Sequence, residues 1–257
     1  MKKLHPVLIC LFITFSTLKS NTLPAQDSTS VRTKKNTVRL NLTNPLIFGE
    51  SFILGYERTI GKHQSISLNV GTYSLPTFTK NLRDKINSEE IELKGSSESF
   101  GMHTSVDYRF YLQRENKYNA PRGVYIGPYL SYNMLRRENT WNLNTTDFQG
   151  DVKTDINLDI ITGGVQLGYQ FLFWKDRLAL DMLLIGPGIS NYQIEAKINS
   201  TLDAADQLEL LDAINEILQD RFPGYTLVID DTEFKKSGTV NTTSVGFRYI
   251  IHFGFRF

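Results

Sequence analysis

The sequence has 257 residues, a formal net charge of +1, 40% hydrophobic residues and 12% aromatic residues. A chain so close to neutral, with no basic block, carries no electrostatic footprint for nucleic acid. Beyond the N-terminus no apolar run approaches the ~20 residues of a membrane-spanning helix, which excludes helical membrane proteins but leaves β-barrels open.

The chain begins MKKLHPVLICLFITFSTLKSNTLPAQ. Two lysines, an apolar stretch and a polar segment ending in small residues form the three-part layout of a secretory signal peptide. We therefore expect residues 1–26 to be removed, with cleavage after Ala25 or Gln26. Cys10, the single cysteine, lies inside that apolar stretch. The mature chain then has no disulfide, no thiol nucleophile and no cysteine metal site. Residues 27–36, DSTSVRTKKN, read as a flexible polar lead-in.

From Thr37 onward, period-two alternation recurs between turn-rich stretches. TVRLNLT sets Val38, Leu40 and Leu42 against Arg39, Asn41 and Thr43; NPLIFGE turns the chain. SFILGYERTI and SISLNVGTY follow around the tight turn GKHQ, and a long polar segment runs from Leu75 to about Ser97. FGMHTSVDYRFYL is the clearest two-faced segment, with Met102, Val106, Tyr108, Phe110 and Leu112 opposite His103, Ser105, Asp107, Arg109 and Tyr111. VYIGPYLSYNML comes next. Residues 136–154 read as a polar loop before DIITGGVQLGYQFLF, and WKDR turns into LALDMLLIGPGIS. A polar connection over 190–240 precedes TTSVGFRYIIHFGFRF. The pattern predicts eight strands. Connections after the second, fourth and sixth are short, and those after the third, fifth and seventh are long, as in an outer-membrane barrel with its short turns in the periplasm.

A soluble sandwich would turn the apolar faces inward, and a membrane barrel would turn them out to lipid. Strands of ten or more residues, a polar stripe rich in glycine, and aromatics gathered near strand ends (Tyr56, Phe110, Phe171, Trp174, Phe255) favour the barrel. So does FRYIIHFGFRF. Its alternating Tyr249, Ile251, Phe253, Phe255 and Phe257 resemble the C-terminal signal by which barrel assembly machinery recognises bacterial outer-membrane proteins. The fold expected is an all-β, eight-stranded, antiparallel, transmembrane up-and-down barrel over 37–257, in contact with outer-membrane lipid.

VRLNLTNPLIFGESFILGYERTIGKHQSISLNVG, VDYRFYL with APRGVYIGPYLSY, GGVQLGYQFLF and LDMLLIGPGI together resemble the DUF3575 family of outer-membrane β-barrel proteins of Bacteroidota. The shared words are the Asn-Pro turn, GYER, YRFYL before PRG, and GPG. None carries chemistry. The resemblance implies an outer-membrane location and barrel architecture, and nothing sharper.

The inward stripe offers Arg39, Arg109, Arg248 and Arg256 as cations and Glu57, Asp107 and Asp181 as anions. An eight-stranded barrel is just wide enough for its side chains, and charges there must pair, so a plugging network is expected. Glu57, Arg39 and Arg256 are its favoured cluster. His103, Ser105 and Asp107 have the residue types of a hydrolase triad. Alternate residues on one strand face stand ~6–7 Å apart, too far for a relay. No metal or other cofactor is expected. A proton path, an enzyme acting on lipid or lipopolysaccharide, and a narrow solute channel are the alternatives to a non-enzymatic structural or surface-interaction protein.

STLDAADQLELLDAINEILQDRFPG within 190–240 predicts an amphipathic helix over about 201–222 in the last extracellular loop, started by Ser200 and Asp203 and stopped by Pro223 and Gly224. Leu208, Leu211, Ile214 and Leu218 form its apolar stripe, opposite an acidic face. It reads as a lid packed on the barrel rim, or as a docking surface for an extracellular partner.

Overall fold

A computed structural model describes residues 34–48, 50–74, 91–96, 99–144, 149–198, 204–221 and 238–257. The expected signal peptide and most of the lead-in lie outside them. The strands are β1 (Asn36–Asn41), β2 (Ser51–Gly61), β3 (Gln64–Tyr73), β4 (Ile91–Ser96), β5 (Phe100–Tyr111), β6 (Gly123–Asn144), β7 (Gln149–Phe173), β8 (Leu178–Ile198) and β9 (Thr239–Arg256), with helices α1 (Thr43–Phe48) and α2 (Ala204–Arg221).

Every pairing is antiparallel, and the ring β1-β2-β3-β5-β6-β7-β8-β9 closes where β9 pairs with β1, Phe253 opposite Leu40 and Phe255 opposite Val38. Over these paired residues, closure removes the sheet edges that lipid would leave unsatisfied. β4 is a ninth strand outside the ring. It continues the line of β5 along β6, pairing with Asn139–Leu143 where β5 pairs from Tyr125 to Arg136. Short turns hold one end together. In the turn after β7, Trp174, Lys175 and Asp176 take φ of 51°, 55° and 58°, and Arg177 N–H donates to the Trp174 carbonyl at 3.2 Å.

Three sequence expectations change. Residues 136–154 are not a polar loop, because β6 runs to Asn144 and β7 starts at Gln149. The 190–240 insertion is shorter, since β8 continues to Ile198 and β9 begins at Thr239. NPLIF does not merely turn; it lies in α1, whose first turn is capped by Asn41 Oδ1 accepting from Thr43 and Asn44 N–H, both at 2.9 Å.

The first two corrections share one cause. Along β7 the even-numbered residues point inward throughout, but their chemistry changes at about residue 160. Val152, Ile156 and Leu158 are buried apolar residues toward one end, and Gln166 and Gln170 are buried polar ones toward the other. The outward face inverts in step, from Asp151, Lys153 and Asp155 to Ile161, Val165 and Phe171. β6 inverts between Met134 and Arg136, β8 between Ile189 and Asn191, and β9 between Thr243 and Val245. These levels are neighbours, Met134 facing Asp159 and Ile189 facing Val245.

One end of the molecule is therefore polar inside and apolar outside, and the other end is largely the reverse, with Arg137, Asn139 and Thr154 as buried polar exceptions. The apolar band covers Val124–Met134, Ile161–Phe173, Leu178–Ile189 and Val245–Phe257. At ~3.4 Å per residue and a tilt of roughly 40°, such segments cover on the order of 25–30 Å, the height of a bilayer's hydrocarbon layer. Beyond the band, β4, β6, β7, β8 and β9 continue as a curved sheet. Its water-facing side carries cross-strand ion pairs: Arg136–Asp159 at 2.6 Å, Lys94–Asp151 at 2.8 Å and Lys153–Glu138 at 3.1 Å.

A charge placed outward should discriminate the two halves. Leu130→Arg, in the middle of the band on β6 and 57% exposed, should lose about 2–4 kcal/mol of unfolding free energy measured in lipid vesicles. Gln193→Arg, exposed beyond the band and opposite Asp159, should cost nothing measurable. Equal losses from both variants would refute the inversion.

Candidate functional site

Inside the band, the lumen is occupied by a continuous polar network to which every ring strand contributes. Its hub is Asp181 on β8. Asp181 Oδ2 accepts from Arg39 Nη1 and from Arg109 Nη2, both at 2.8 Å, while Oδ1 accepts from the Tyr125 hydroxyl at 2.7 Å. His252 Nδ1 lies 3.3 Å from Oδ2. Glu57 accepts from Ser65 Oγ at 2.7 Å, Gln170 Nε2 at 3.0 Å, the Tyr111 hydroxyl at 3.1 Å and Arg109 Nη1 at 3.4 Å. Asp107 accepts from Ser67 Oγ at 3.0 Å, Asn69 Nδ2 at 3.1 Å and Arg248 Nη2.

Arg39, Arg109 and Arg248 thus balance Glu57, Asp107 and Asp181 one for one. The aromatics complete the filling. Arg109 stacks over the Tyr125 ring at 4.4 Å and Arg248 over Tyr129 at 3.5 Å. Two glycines make room for those rings. A Cβ at Gly168 would come within 2.4 Å of the Tyr125 phenol, and one at Gly188 within 2.5 Å of the Tyr129 oxygen.

Six of the seven charged residues expected in the lumen meet in this network, but the favoured trio does not form. Glu57 pairs with Arg109, and Arg39 pairs with Asp181 and Asp107. Arg256 lies at the turn end, where its guanidinium donates to the Lys34 carbonyl. The depths of these residues depend on strand stagger, which alternation does not encode. Sequence reasoning missed Gln170, Gln166 and Asn69 as network members, although each sits at the inward parity of its strand.

The Ser-His-Asp set is taken up elsewhere. His103 Nδ1 bonds Asn133 Oδ1 at 2.7 Å, and Ser105 Oγ accepts from Asn69 at 3.0 Å. Among the described residues, no three His, Cys, Asp or Glu side chains are grouped to hold a metal ion.

Beyond the band the interior is mostly apolar, with Arg137, Asn139 and Thr154 among its buried polar members. Leu93, Trp141, Leu143, Val152, Ile156 and Ile194 form one buried cluster with Leu210, Leu211 and Ile214 of α2. Trp141 is fully buried and its indole N–H donates to Thr154 Oγ1 at 2.9 Å. The helix packs in the core of this extension, and its apolar stripe differs from the expected one. Leu211 and Ile214 are inside and Leu210 joins them, while Leu208 is 49% exposed. The side chain of Leu218 lies outside those described. Asp151, on the water-facing side, has its carboxyl held below the ordinary range by hydrogen bonds from Lys94 and Asn142.

The outward positions of the C-terminal strand, Tyr249, Ile251, Phe253, Phe255 and Phe257, all belong to the apolar band. An apolar belt around a closed, polar-filled ring is the arrangement of a bilayer-spanning barrel. The chain is an eight-stranded antiparallel β-barrel. No family model and no curated protein matches it. Among solved structures, a major outer membrane protein from Thermus thermophilus is similar at a TM-score of 0.37 and 12% identity, over 88% of this chain and 100% of that one.

Proposed function

We propose that this chain is a non-enzymatic bacterial outer-membrane barrel with a closed lumen, which holds a folded sheet-and-helix extension at the cell surface. The observation that carries the reading is the inversion within single strands. A charge-balanced interior inside an apolar belt suits lipid, and an apolar interior beneath ion-paired strands suits water. Among the described residues, β4, β6, β7, β8, β9 and α2 build the part that rises above the band, and surface contact is the role such an extension can perform.

The quoted segments that resemble the Bacteroidota family support the outer-membrane assignment, and the N-terminal layout supports export. The outward row ending at Phe257 is the surface that barrel assembly machinery would read. An extracellular partner would meet exposed Leu208 and Asp212 of α2.

Closure of the lumen distinguishes this reading from a channel. Protein refolded into planar bilayers should show no stable open conductance. A steady open state would overturn the proposal. Antibody or protease accessibility of α2 on intact cells tests the surface half; an inaccessible helix in a correctly assembled barrel would reverse the orientation.

A further inference from the structure

The ring closes along only part of its height. β9 pairs with β8 from Thr239 to Phe255, but β1 covers its other edge only from His252 to Arg256. Just above, the chain leaves the sheet. Leu42 N–H donates to the Ile251 carbonyl and Ile251 N–H to Thr43 Oγ1, each at 2.8 Å, and α1 follows in place of a longer β1. By the two-residue period, the backbone N–H and C=O groups of Tyr249, Phe247 and Val245 face the same side as those of Ile251. Among the described residues no strand pairs with them on that side. They lie in the apolar band, where an unmet backbone polar group costs several kcal/mol.

A cavity of about 550 Å³ meets this edge. It is lined by inward residues of β9, Ser244, Gly246 and Arg248, and also by their outward neighbours Val245, Phe247 and Tyr249. A cavity lined by both faces of one strand runs around that strand's free edge, from the lumen to the lipid side. The outer part is apolar: Phe247 is 72% exposed, and Ile47 of α1 borders it. The inner part is hydroxyl- and amide-rich, including Ser131, Asn133, Thr162, Ser190 and the Tyr129 ring. Among the described residues no carboxylate lines it. Arg248 is already neutralised by Asp107, and among the described residues its Nε and Nη1 have no hydrogen-bond partner.

We propose that this lateral opening binds a membrane glycolipid, with the uncharged sugar head on the inner hydroxyl and amide wall and the acyl chains outside along Val245, Phe247 and Ile47. The commitment to an uncharged, polyhydroxylated head follows from the charge balance of the network beneath it. An added anion would leave the interior with an unpaired negative charge, whereas sugar hydroxyls can accept from Arg248 and Asn133 and exchange hydrogen bonds with the serines and threonines. The head would also satisfy the bare edge of β9. The volume lies within the range of small-molecule sites.

The inference rests on the barrel spanning a bilayer, and the test separates the two. The protein is placed in phosphatidylcholine nanodiscs doped with a monoglucosyl diacylglycerol or with phosphatidylglycerol, and backbone amide shifts are followed by NMR. Failure to incorporate into the discs would sink the membrane reading itself. With incorporation, the glucolipid should shift the amides of Ser131, Thr162, Ser190 and Ser244 saturably, and phosphatidylglycerol should not. Ser190→Leu and Ser131→Leu, which fill the inner wall, should each raise the half-saturating glucolipid fraction about tenfold or more while the remaining spectrum stays folded. Equal shifts from both lipids, no saturable shift, or unchanged binding in both folded variants would overturn the site.

Discussion

Asp181→Leu is expected to destabilise the barrel by about 3–5 kcal/mol, because it removes one partner of a buried ion cluster and leaves its cations behind. Asp181 is the shared acceptor of Arg39 and Arg109, and it also takes the Tyr125 hydroxyl. All four side chains are buried, so water cannot replace the lost oxygen atoms. The six-charge balance becomes a net positive interior. The measurement is the midpoint of urea unfolding in lipid vesicles, supported by heat-modifiable migration on gels. A charge-neutral second change sharpens it. Arg39→Met combined with Asp181→Leu leaves the Arg109–Glu57 and Arg248–Asp107 pairs intact, and should recover part of the loss through a favourable coupling between neighbouring sites. If Asp181→Leu alone matches the parent, the network is not what holds the lumen together.

Trp141→Ala should cost a similar ~3–5 kcal/mol, but in a different place. Trp141 is a fully buried member of the apolar cluster above the band, packed in the core that Leu210 and Ile214 of α2 share. Its loss opens a cavity and orphans the Thr154 hydroxyl. Hydrogen exchange should then show faster amides in α2 and in β7 around Val152–Leu158, with β1, β2 and β3 still protected in the bilayer. Uniform loss of protection across the ring would mean that the two halves fold as one unit. An unchanged α2 would mean that the helix does not depend on this core.

These two variants probe parts that differed in how legible they were. The barrel strands were readable because lipid-facing residues such as Leu54, Val106 and Phe171 alternate with polar ones, and period two survives whichever side is wet. The extension was lost for a related reason. Arg136, Glu138, Thr140 and Asn142 make that stretch of β6 look like a loop, yet Leu135, Trp141 and Leu143 keep the inward parity. Arg137 and Asn139, polar yet buried at that same parity, break the alternation there and hide the strand. β4 was harder, since only Leu93 of its described side chains is buried.

Ion partners were not legible at all. Glu57 meets Arg109 over the intervening strand β3 rather than Arg39 on the adjacent strand, and that choice is fixed by the stagger of the closed ring. In α2, apolar residues at 208, 210, 211 and 214 make a stripe wide enough for several docking angles. Packing against Trp141 and its neighbours selects Leu210, Leu211 and Ile214, and turns Leu208 outward.

The change of face along β6 to β9 also acts as a waterline. Sinking by one pleat would carry Arg136, Asp159 and Asn191 toward hydrocarbon, and rising by one would bring Ile161, Ile189 and Val245 into water. Each displacement is opposed on four strands at once, so the molecule floats at one depth. In a bilayer of different thickness the lipid has to adjust, thinning or thickening against a wall whose draught is written into its strands.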